Sequence, residues 1–471
     1  MRVKTRMAPS PTGFLHVGTA RTTIFNFLYS RHMGGEFVLR IEDTDIERSE
    51  KRFEEDIIVG LKWLGIEWDG EITRQSERID TYEKYIRKLL DEGKTFYCPH
   101  SGEELERERK SQLWDKESPR HVCDARDSKL KSGLIRFKNN TSEKIKFSDE
   151  IRGELSFDPQ LLGDFSLAKD LRTPLYNFAV VVDDQEMEIT HVIRGEDHIS
   201  NTPKQILLED ALGFARPIFA HLPLILGSDK SKLSKRHGAT SLTEYKNGGY
   251  LPEALFNFMA ILGWHLPDTG KAEGEQEIFS KEELIKNFSL ERVQKAGAIF
   301  DITKLDWMNG EYIRHKSSKE LSRLATPYLA TWLSDNQVDV RHDLDLEKII
   351  TLEQPRLKKL SELPEKTDYF FKEPEYDVAL LKWKQMNNNQ IKSSLETAKE
   401  ILQSVDENGM TKENLEKIFL EKAGKDRGEL LWPLRVALSG KKASPGPFDI
   451  MHILGKNASI SRLETAIDKL V

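Results

Sequence analysis

Three groups of residues carry side chains able to do chemistry. The first is His16 and Gly18, with Thr19 beside them, in His16-Val-Gly-Thr19, which follows the loop Ala8-Pro-Ser-Pro-Thr-Gly13 and stands where a helix-period run begins. A helix N-terminus turns backbone N–H groups and the positive end of its dipole toward phosphate. His16 adds a donor there, and Gly18, lacking a Cβ, lets a flat ring lie against the backbone. The second group is Lys232, Lys235 and Arg236, with Leu233 and Ser234 between them, inside Gly227-Ser-Asp-Lys-Ser-Lys-Leu-Ser-Lys-Arg-His-Gly238. Cations on a glycine-flanked loop suit phosphate oxygens, although a Lys-rich loop is more often a solvated charge run. The third is Cys98-Pro-His100 with His121-Val-Cys123, which holds the only two cysteines of the chain. Four nitrogen and sulfur ligands suit a closed tetrahedral zinc site; two buried thiols and two surface imidazoles are the alternative.

The elements that must position these groups follow from periodicity. Pro9 and Pro11 keep the first loop out of a helix, and Gly13 offers a positive φ. Val17, Ala20, Ile24, Phe27 and Leu28 recur at helical spacing until Gly34-Gly35, and Phe37-Val-Leu-Arg-Ile41 is the near-continuous apolar run of a covered parallel strand. The result is a β-α-β unit with a polar loop feeding its helix. Two further amphipathic helices end at Gly65 and Gly93. A charged, mixed segment then carries a helix at Glu103–Lys110 and a strand at Leu134–Phe137, and reads as an insertion. The sheet pattern resumes with Tyr176-Asn-Phe-Ala-Val-Val-Val182, taken as a buried strand, then Ile189–Ile193 and a helix at Lys204–Leu208. Pro252 opens a helix running to Gly263. From about residue 320, helical periodicity replaces strand signals.

The wording around these groups resembles the class I aminoacyl-tRNA synthetases, and within them the bacterial-type glutamyl-tRNA synthetases. The likeness is carried by Arg6-Met-Ala-Pro-Ser-Pro-Thr-Gly13, Arg40-Ile-Glu-Asp-Thr-Asp45, Thr190-His-Val-Ile-Arg-Gly-Glu-Asp-His198 and the basic loop, and it spans nearly the whole chain. Thr19 stands where the wider class has a second His, and Arg236 ends the basic motif; both are usual in the glutamyl branch. The resemblance implies a Rossmann-like α/β catalytic domain over 1–97 and 176–238, an α+β insertion binding the tRNA acceptor stem over 98–175, a connecting helical domain over 239–320, and an all-α anticodon-binding region over 321–471. Pattern alone makes this last region an ordinary helical accessory domain.

The same resemblance implies ATP-dependent ligation of L-glutamate to tRNA(Glu) through glutamyl-adenylate, with Mg2+ on the phosphates. His16, Lys232 and Lys235 would be catalytic, and His16, Gly18, Thr19 and Lys232 to Arg236 would hold ATP. Arg6, Ser10, Glu42, Tyr176, Arg194 and His198 would hold glutamate, the arginines by pairing with carboxylates; for any one of them alone, a structural ion pair is the simpler reading. Arg356 is the candidate for an anticodon contact, on which charging of tRNA(Gln) as well would depend. Some members carry zinc on a Cys-x-Cys pair and a later Cys, from which the present Cys/His set departs. The rivals are a glutaminyl enzyme, the short tRNA-modifying paralogue, which lacks the C-terminal helices, and an inactive tRNA-binding paralogue.

Bulk properties bound this reading without selecting it. The chain has 471 residues, with 71 Lys+Arg against 78 Asp+Glu and a net charge of -7, which neither announces nor excludes RNA binding. Two cysteines exclude a disulfide framework, and no apolar leader or spanning stretch appears. A cytoplasmic monomer without membrane contact is expected.

Overall fold

The computed structural model describes residues 2–45, 47–266, 276–338 and 344–470. The chain forms two compact units, one of Met1–Lys246 with Pro252–Leu305 and one of Asn247–Leu251 with Asp306–Val471.

In the first unit β1 (Lys4–Met7), α1 (Val17–His32), β2 (Glu36–Ile41), α2 (Lys51–Trp63) and β3 (Thr73–Arg74) make a three-stranded parallel sheet in the order β1-β2-β3. Every residue of β2 after Glu36 is buried, as a strand covered on both faces requires. Helix α3 (Ile79–Asp91) leads to β4 (Thr95–Cys98), α4 (Gly102–Trp114), β5 (Leu134–Phe137), β6 (Ile145–Asp149), β7 (Gly153–Phe157), β8 (Ser166–Asp170) and β9 (Thr173–Pro174). Ser101 and Glu104 form a reciprocal capping box at the start of α4. Strands β4, β5, β8 and β9 pair antiparallel as a separate sheet.

The segment expected as an insertion is thus divided, because β6 and β7 join another sheet. There β10 (His191–Gly195) and β11 (Ile218–Leu222) run parallel, and β6 pairs with β11 at Asp149 and Phe219, giving the order β10-β11-β6-β7. The Thr190 N–H donates to the Lys4 carbonyl (3.0 Å), linking β1 to the lead-in of β10. A core of Tyr82, Ile86, Phe137, Phe178, Val181, Ile206 and Phe219 packs these elements together.

Residues 176–182 correct the sequence reading. They are not a strand but the first part of helix α5 (Tyr176–Glu186), in which Phe178 through Asp184 are all buried. A helix enclosed on every side shows the same unbroken apolar run as a covered strand, so periodicity could not separate them. Gly13 is a second correction, since it is not among the glycines with positive φ, which include the helix-ending Gly34, Gly65 and Gly93. The first unit continues through α6 (Thr202–Leu212), β12 (Ile225–Leu226), α7 (Leu242–Asn247, whose last residue belongs to the second unit), α8 (Pro252–Ile261), α9 (Lys281–Asn287) and β13 (Ala298–Ile299), which pairs with β12.

Helix α10 (Ile302–Arg314) begins in the first unit and ends in the second. From α11 (Ser318–Asp335) to α18 (Lys456–Asp468) the described residues of the second unit contain no strand. Leu321 and Leu329 are buried from α11, and Leu430, Leu434 and Leu438 of the helix Gly428–Ser439 enter a core with Leu395, Phe419 and Leu463. No helix among the described residues is long and apolar enough to cross a membrane.

Candidate functional site

His16 is the N-cap of α1, with extended backbone and its Nδ1 accepting from the Gly18 N–H (3.0 Å). That leaves the opposite ring nitrogen, Nε2, as the donor of the neutral tautomer. Burial, and then the nearby Lys232 charge, lower the His16 pKa, with Glu244 opposing. The helix entrance is tied to the chain just after the basic loop: Val17 N–H donates to the Thr240 carbonyl (2.9 Å) and Leu242 N–H to the Leu15 carbonyl (3.0 Å). A Cβ built on Gly18 would meet only the His16 ring, with Nδ1 at 3.3 Å, so nothing else crowds that side.

A cavity of about 630 Å³ lies at the C-terminal ends of β1, β2 and β10, where an open α/β sheet receives ligands. Arg6, Ser10, His16, Gly18, Thr19, Glu42, Tyr176, Arg194, His198, Lys232 and Leu233 all line it. Ser234 and Arg236 do not, and the side chain of Lys235 lies outside the described residues. Arg356, in the second unit, is engaged locally: Nε donates to Glu353 (3.0 Å) and Nη2 to the Leu352 carbonyl (3.0 Å).

One wall is a buried ionic network. Arg6 forks onto Asp184, with Nε to Oδ1 at 3.1 Å and Nη2 to Oδ2 at 3.3 Å. Fully buried Arg40 donates to the same Asp184 (2.7 Å) and to Glu42 (3.1 Å). Asp183 accepts from Arg78 (2.7 Å), Gln75 (2.8 Å) and the Tyr82 hydroxyl (2.8 Å). Burial works against the Asp184 charge, but Arg6 and Arg40 overcome it and hold its carboxyl below the usual range. For Glu42 burial wins over Arg40 and Arg6, and its pKa rises. The Tyr176 phenol, pushed up to about 12 by burial and then by Glu42, donates to His198 Nδ1 (3.0 Å). Burial and the Arg194 charge pull His198 down to about 4, so the ring is neutral and fit to accept.

The other wall is exposed. Lys232 Nζ lies 3.6 Å from Asp197 with its side chain 65% exposed, while Leu233 is buried and donates its N–H to the Ile225 carbonyl (2.9 Å). Asp229 braces the loop through Ser231, Arg236 (3.3 Å) and His237 (3.1 Å). The motif reading did not single out Asp184, His221 or Arg21, although His221 is a polar residue inside the apolar run Ile218-Phe-Ala-His-Leu222, a pattern that signals a buried partner. Arg21 also lines the cavity, bonded to the Leu262 and Pro223 carbonyls, and burial lowers it to about 10.

Away from this cavity, the ligand atoms of Cys98, His100, His121 and Cys123 lie within 4.8 Å of one another. The two Sγ atoms are 3.7 Å apart, His100 Nδ1 is 3.4 and 3.6 Å from them, and His121 Nε2 is 3.7 Å from Cys98 Sγ. Tetrahedral zinc, with bonds of about 2.3 Å to sulfur and about 2.0 Å to nitrogen, requires edges of roughly 3.3–3.8 Å. The donor set fits. His121 Nδ1 meets Glu108 (2.5 Å) and His100 Nε2 lies 3.5 Å from Asp124, the carboxylate support that ligating imidazoles usually have.

The description "tRNA synthetases class I (E and Q), catalytic domain" matches residues 2–307, and an anticodon-binding domain matches 320–467. The chain is 41% identical to a glutamate--tRNA ligase of Desulforamulus reducens, covering 99% of this chain and 100% of that one. It is 43% identical to glutamate--tRNA ligase 2 of Thermoanaerobacter pseudethanolicus, covering 99% and 98%. A crystal structure of a glutamate tRNA ligase from Elizabethkingia meningosepticum in complex with its amino acid superposes with a TM-score of 0.87 at 32% identity over the whole of both chains. The chain belongs to the class I tRNA synthetases of the glutamate and glutamine branch, among the glutamate--tRNA ligases.

Proposed function

We propose that the chain ligates L-glutamate to the 3′ end of tRNA(Glu), by way of glutamyl-adenylate made from ATP. The observation that carries this reading is one cavity lined at one wall by buried Arg6, Glu42 and Arg194 and at the other by His16, Gly18 and Lys232. Neither step needs a protein nucleophile, since the glutamate carboxylate attacks the α-phosphorus and expels pyrophosphate, and the terminal ribose hydroxyl of tRNA then takes the acyl group with release of AMP. Catalysis is therefore placement and charge stabilisation. Arg6 and Arg194 receive substrate carboxylates and Glu42 accepts from the α-ammonium. Tyr176, Ser10 and His198 complete that wall. Neutral His16 donates through Nε2 to a phosphate oxygen, Gly18 and Thr19 carry the adenosine, and Lys232 meets developing phosphate charge together with Lys235. Bound Mg2+ would neutralise phosphate oxygens.

Zinc on Cys98, His100, His121 and Cys123 would tie β4 to the segment after α4, where little apolar core exists beyond Phe96 and the two cysteines. In this reading the protein works as a cytoplasmic monomer, 98–175 meets the acceptor stem, and the helical unit meets the anticodon. Glutamate-dependent pyrophosphate exchange, with charging of tRNA(Glu) and tRNA(Gln) side by side, tests it. Absence of glutamate-dependent exchange with and without tRNA would overturn it, and charging of both tRNAs would mark the non-discriminating form.

A further inference from the structure

The two arginines assigned to substrate carboxylates, Arg6 and Arg194, are held differently. Arg6 is forked by a carboxylate, Asp184, which it shares with Arg40. Arg194, on β10 and 5% exposed, is held entirely by neutral acceptors. Its Nη2 donates to Thr202 Oγ1 (2.9 Å) and Gln205 Oε1 (2.7 Å), its Nε donates to His221 Nε2 (3.1 Å), and its Nη1 is buried with no protein partner. His221, on β11, is wholly buried, and its Nδ1 lies 2.6 Å from Asp149 Oδ2 at the end of β6. A carboxylate only accepts, so Nδ1 carries the proton and Nε2 is the lone pair that Arg194 requires. Oδ1 of Asp149 accepts from the Ile151 (3.0 Å) and Arg152 (2.8 Å) amides, and the His221 backbone N–H is shared between Oδ1 (3.3 Å) and Oδ2 (3.1 Å).

We propose that Asp149 and His221 are a positioning pair for Arg194: Asp149 fixes the imidazole tautomer, and the imidazole then orients the guanidinium without neutralising it. The proposal rests on the reading of Arg194 as a glutamate-contacting residue. A carboxylate directly on Nε would compete with the substrate carboxylate for the same charge. An imidazole in between supplies the hydrogen bond and keeps the negative charge one ring away. Burial and the Arg194 charge keep the His221 pKa low against the pull of Asp149, consistent with a neutral ring.

Asp149→Asn is the decisive variant. The amide oxygen at the Oδ1 position can keep the Ile151, Arg152 and His221 backbone N–H bonds, while the NH2 faces His221 Nδ1 and moves the imidazole proton to Nε2, directly against the Arg194 Nε–H. Losing one hydrogen bond to a buried charged group should raise the glutamate KM roughly 10- to 100-fold. The ATP KM should stay within about twofold and kcat should change less than KM. His221→Gln, which keeps an acceptor without a tautomer, should show a smaller rise, and adding Asp149→Asn to it should change nothing further.

Nitrogen NMR of histidine-labelled protein, with the His221 signal identified by its loss in His221→Gln, should report Nδ1–H in the parent and Nε2–H in Asp149→Asn. An unchanged tautomer overturns the pair, as does a glutamate KM within twofold of the parent. An effect of Asp149→Asn that persists undiminished in His221→Gln, or one that falls equally on ATP, overturns it too. The underlying assignment fails separately, if Arg194→Ala leaves glutamate use intact.

Discussion

The two walls of the cavity are built on opposite terms. The wall of Arg6, Glu42 and Arg194 is buried, and its arginines are fixed through Asp184, His221, Thr202 and Gln205 before any ligand is present. On the other wall Lys232, and Arg236 on the same loop but outside the cavity lining, keep their side chains about two-thirds exposed, paired loosely with Asp197 and Asp229 across 3.6 and 3.3 Å. Exposed pairs of that kind contribute little to stability. The difference separates two tasks. Discrimination of one small carboxylate-bearing substrate needs groups that cannot relax toward a wrong one, whereas stabilising charge that develops only during reaction needs cations that can move to it.

The largest expected effect lies on the buried wall. Arg6→Ala and Arg194→Ala should each lower kcat/KM for glutamate by roughly 10²–10⁴-fold, the range expected when one partner of a buried charged pair is removed. Arg6→Ala should also lower the thermal midpoint, because Asp184 then keeps only Arg40. Steady-state pyrophosphate exchange and a melting curve measure both, and near-normal glutamate kinetics would reduce these residues to structural roles.

On the exposed wall the pattern should invert. Lys232→Ala is expected to slow adenylate formation by roughly 10²-fold with glutamate KM and thermal midpoint unchanged, since the side chain is 65% exposed. A variant that loses stability, or glutamate affinity in place of turnover, would erase the proposed division of labour.

The Cys/His quartet extends the comparison to a second prebuilt site, far from glutamate chemistry. Purified, tag-free protein should carry about one zinc per chain, absent from a Cys98→Ser, Cys123→Ser double variant. Chelation should lower the melting midpoint, because metal that binds only the folded chain adds to its stability. Metal-free protein from zinc-replete medium with an unchanged midpoint would leave two thiols and two imidazoles.

The exposed wall and the quartet were legible because their signals are local. His16 caps a helix that its own neighbours specify, and Cys98 with His100 and His121 with Cys123 come as spaced pairs. The buried wall was legible only in part. Arg6, Glu42 and Arg194 stand in motif wording, but their partners Asp184, His221 and Asp149 are distant in sequence and meet only through sheet order. Asp149 is the clearest case: it belongs to the charged segment after residue 98, and the β6–β11 pairing that brings it to His221 leaves no trace in composition. Helix α5 was misjudged for a related reason, since full burial erases the period that distinguishes a helix from a strand, and Asp183-Asp184 looked like the end of the run and not its continuation.

The smallest expected effect concerns a cost of the buried wall. Glu209 on α6 is 5% exposed, and Oε2 has no hydrogen-bond partner although Arg216 Nε is 3.4 Å away. Burial raises its pKa above the ordinary 4.5 to about 7, with Arg216 only partly offsetting that and Asp184 adding to it. A carboxyl whose folded pKa is raised binds more protons in the folded state, so stability falls as pH rises from about 4.5 to about 7 and is level beyond. The shift corresponds to roughly 3 kcal/mol above pH 7. Glu209→Gln removes the charge and keeps the shape. Its thermal midpoint should therefore exceed the parent's by several degrees at pH 8, with the gain shrinking steadily to near zero at pH 4.5. A gain independent of pH, or a loss at pH 8, would mean that Arg216 satisfies Glu209 and that the buried wall carries no such penalty.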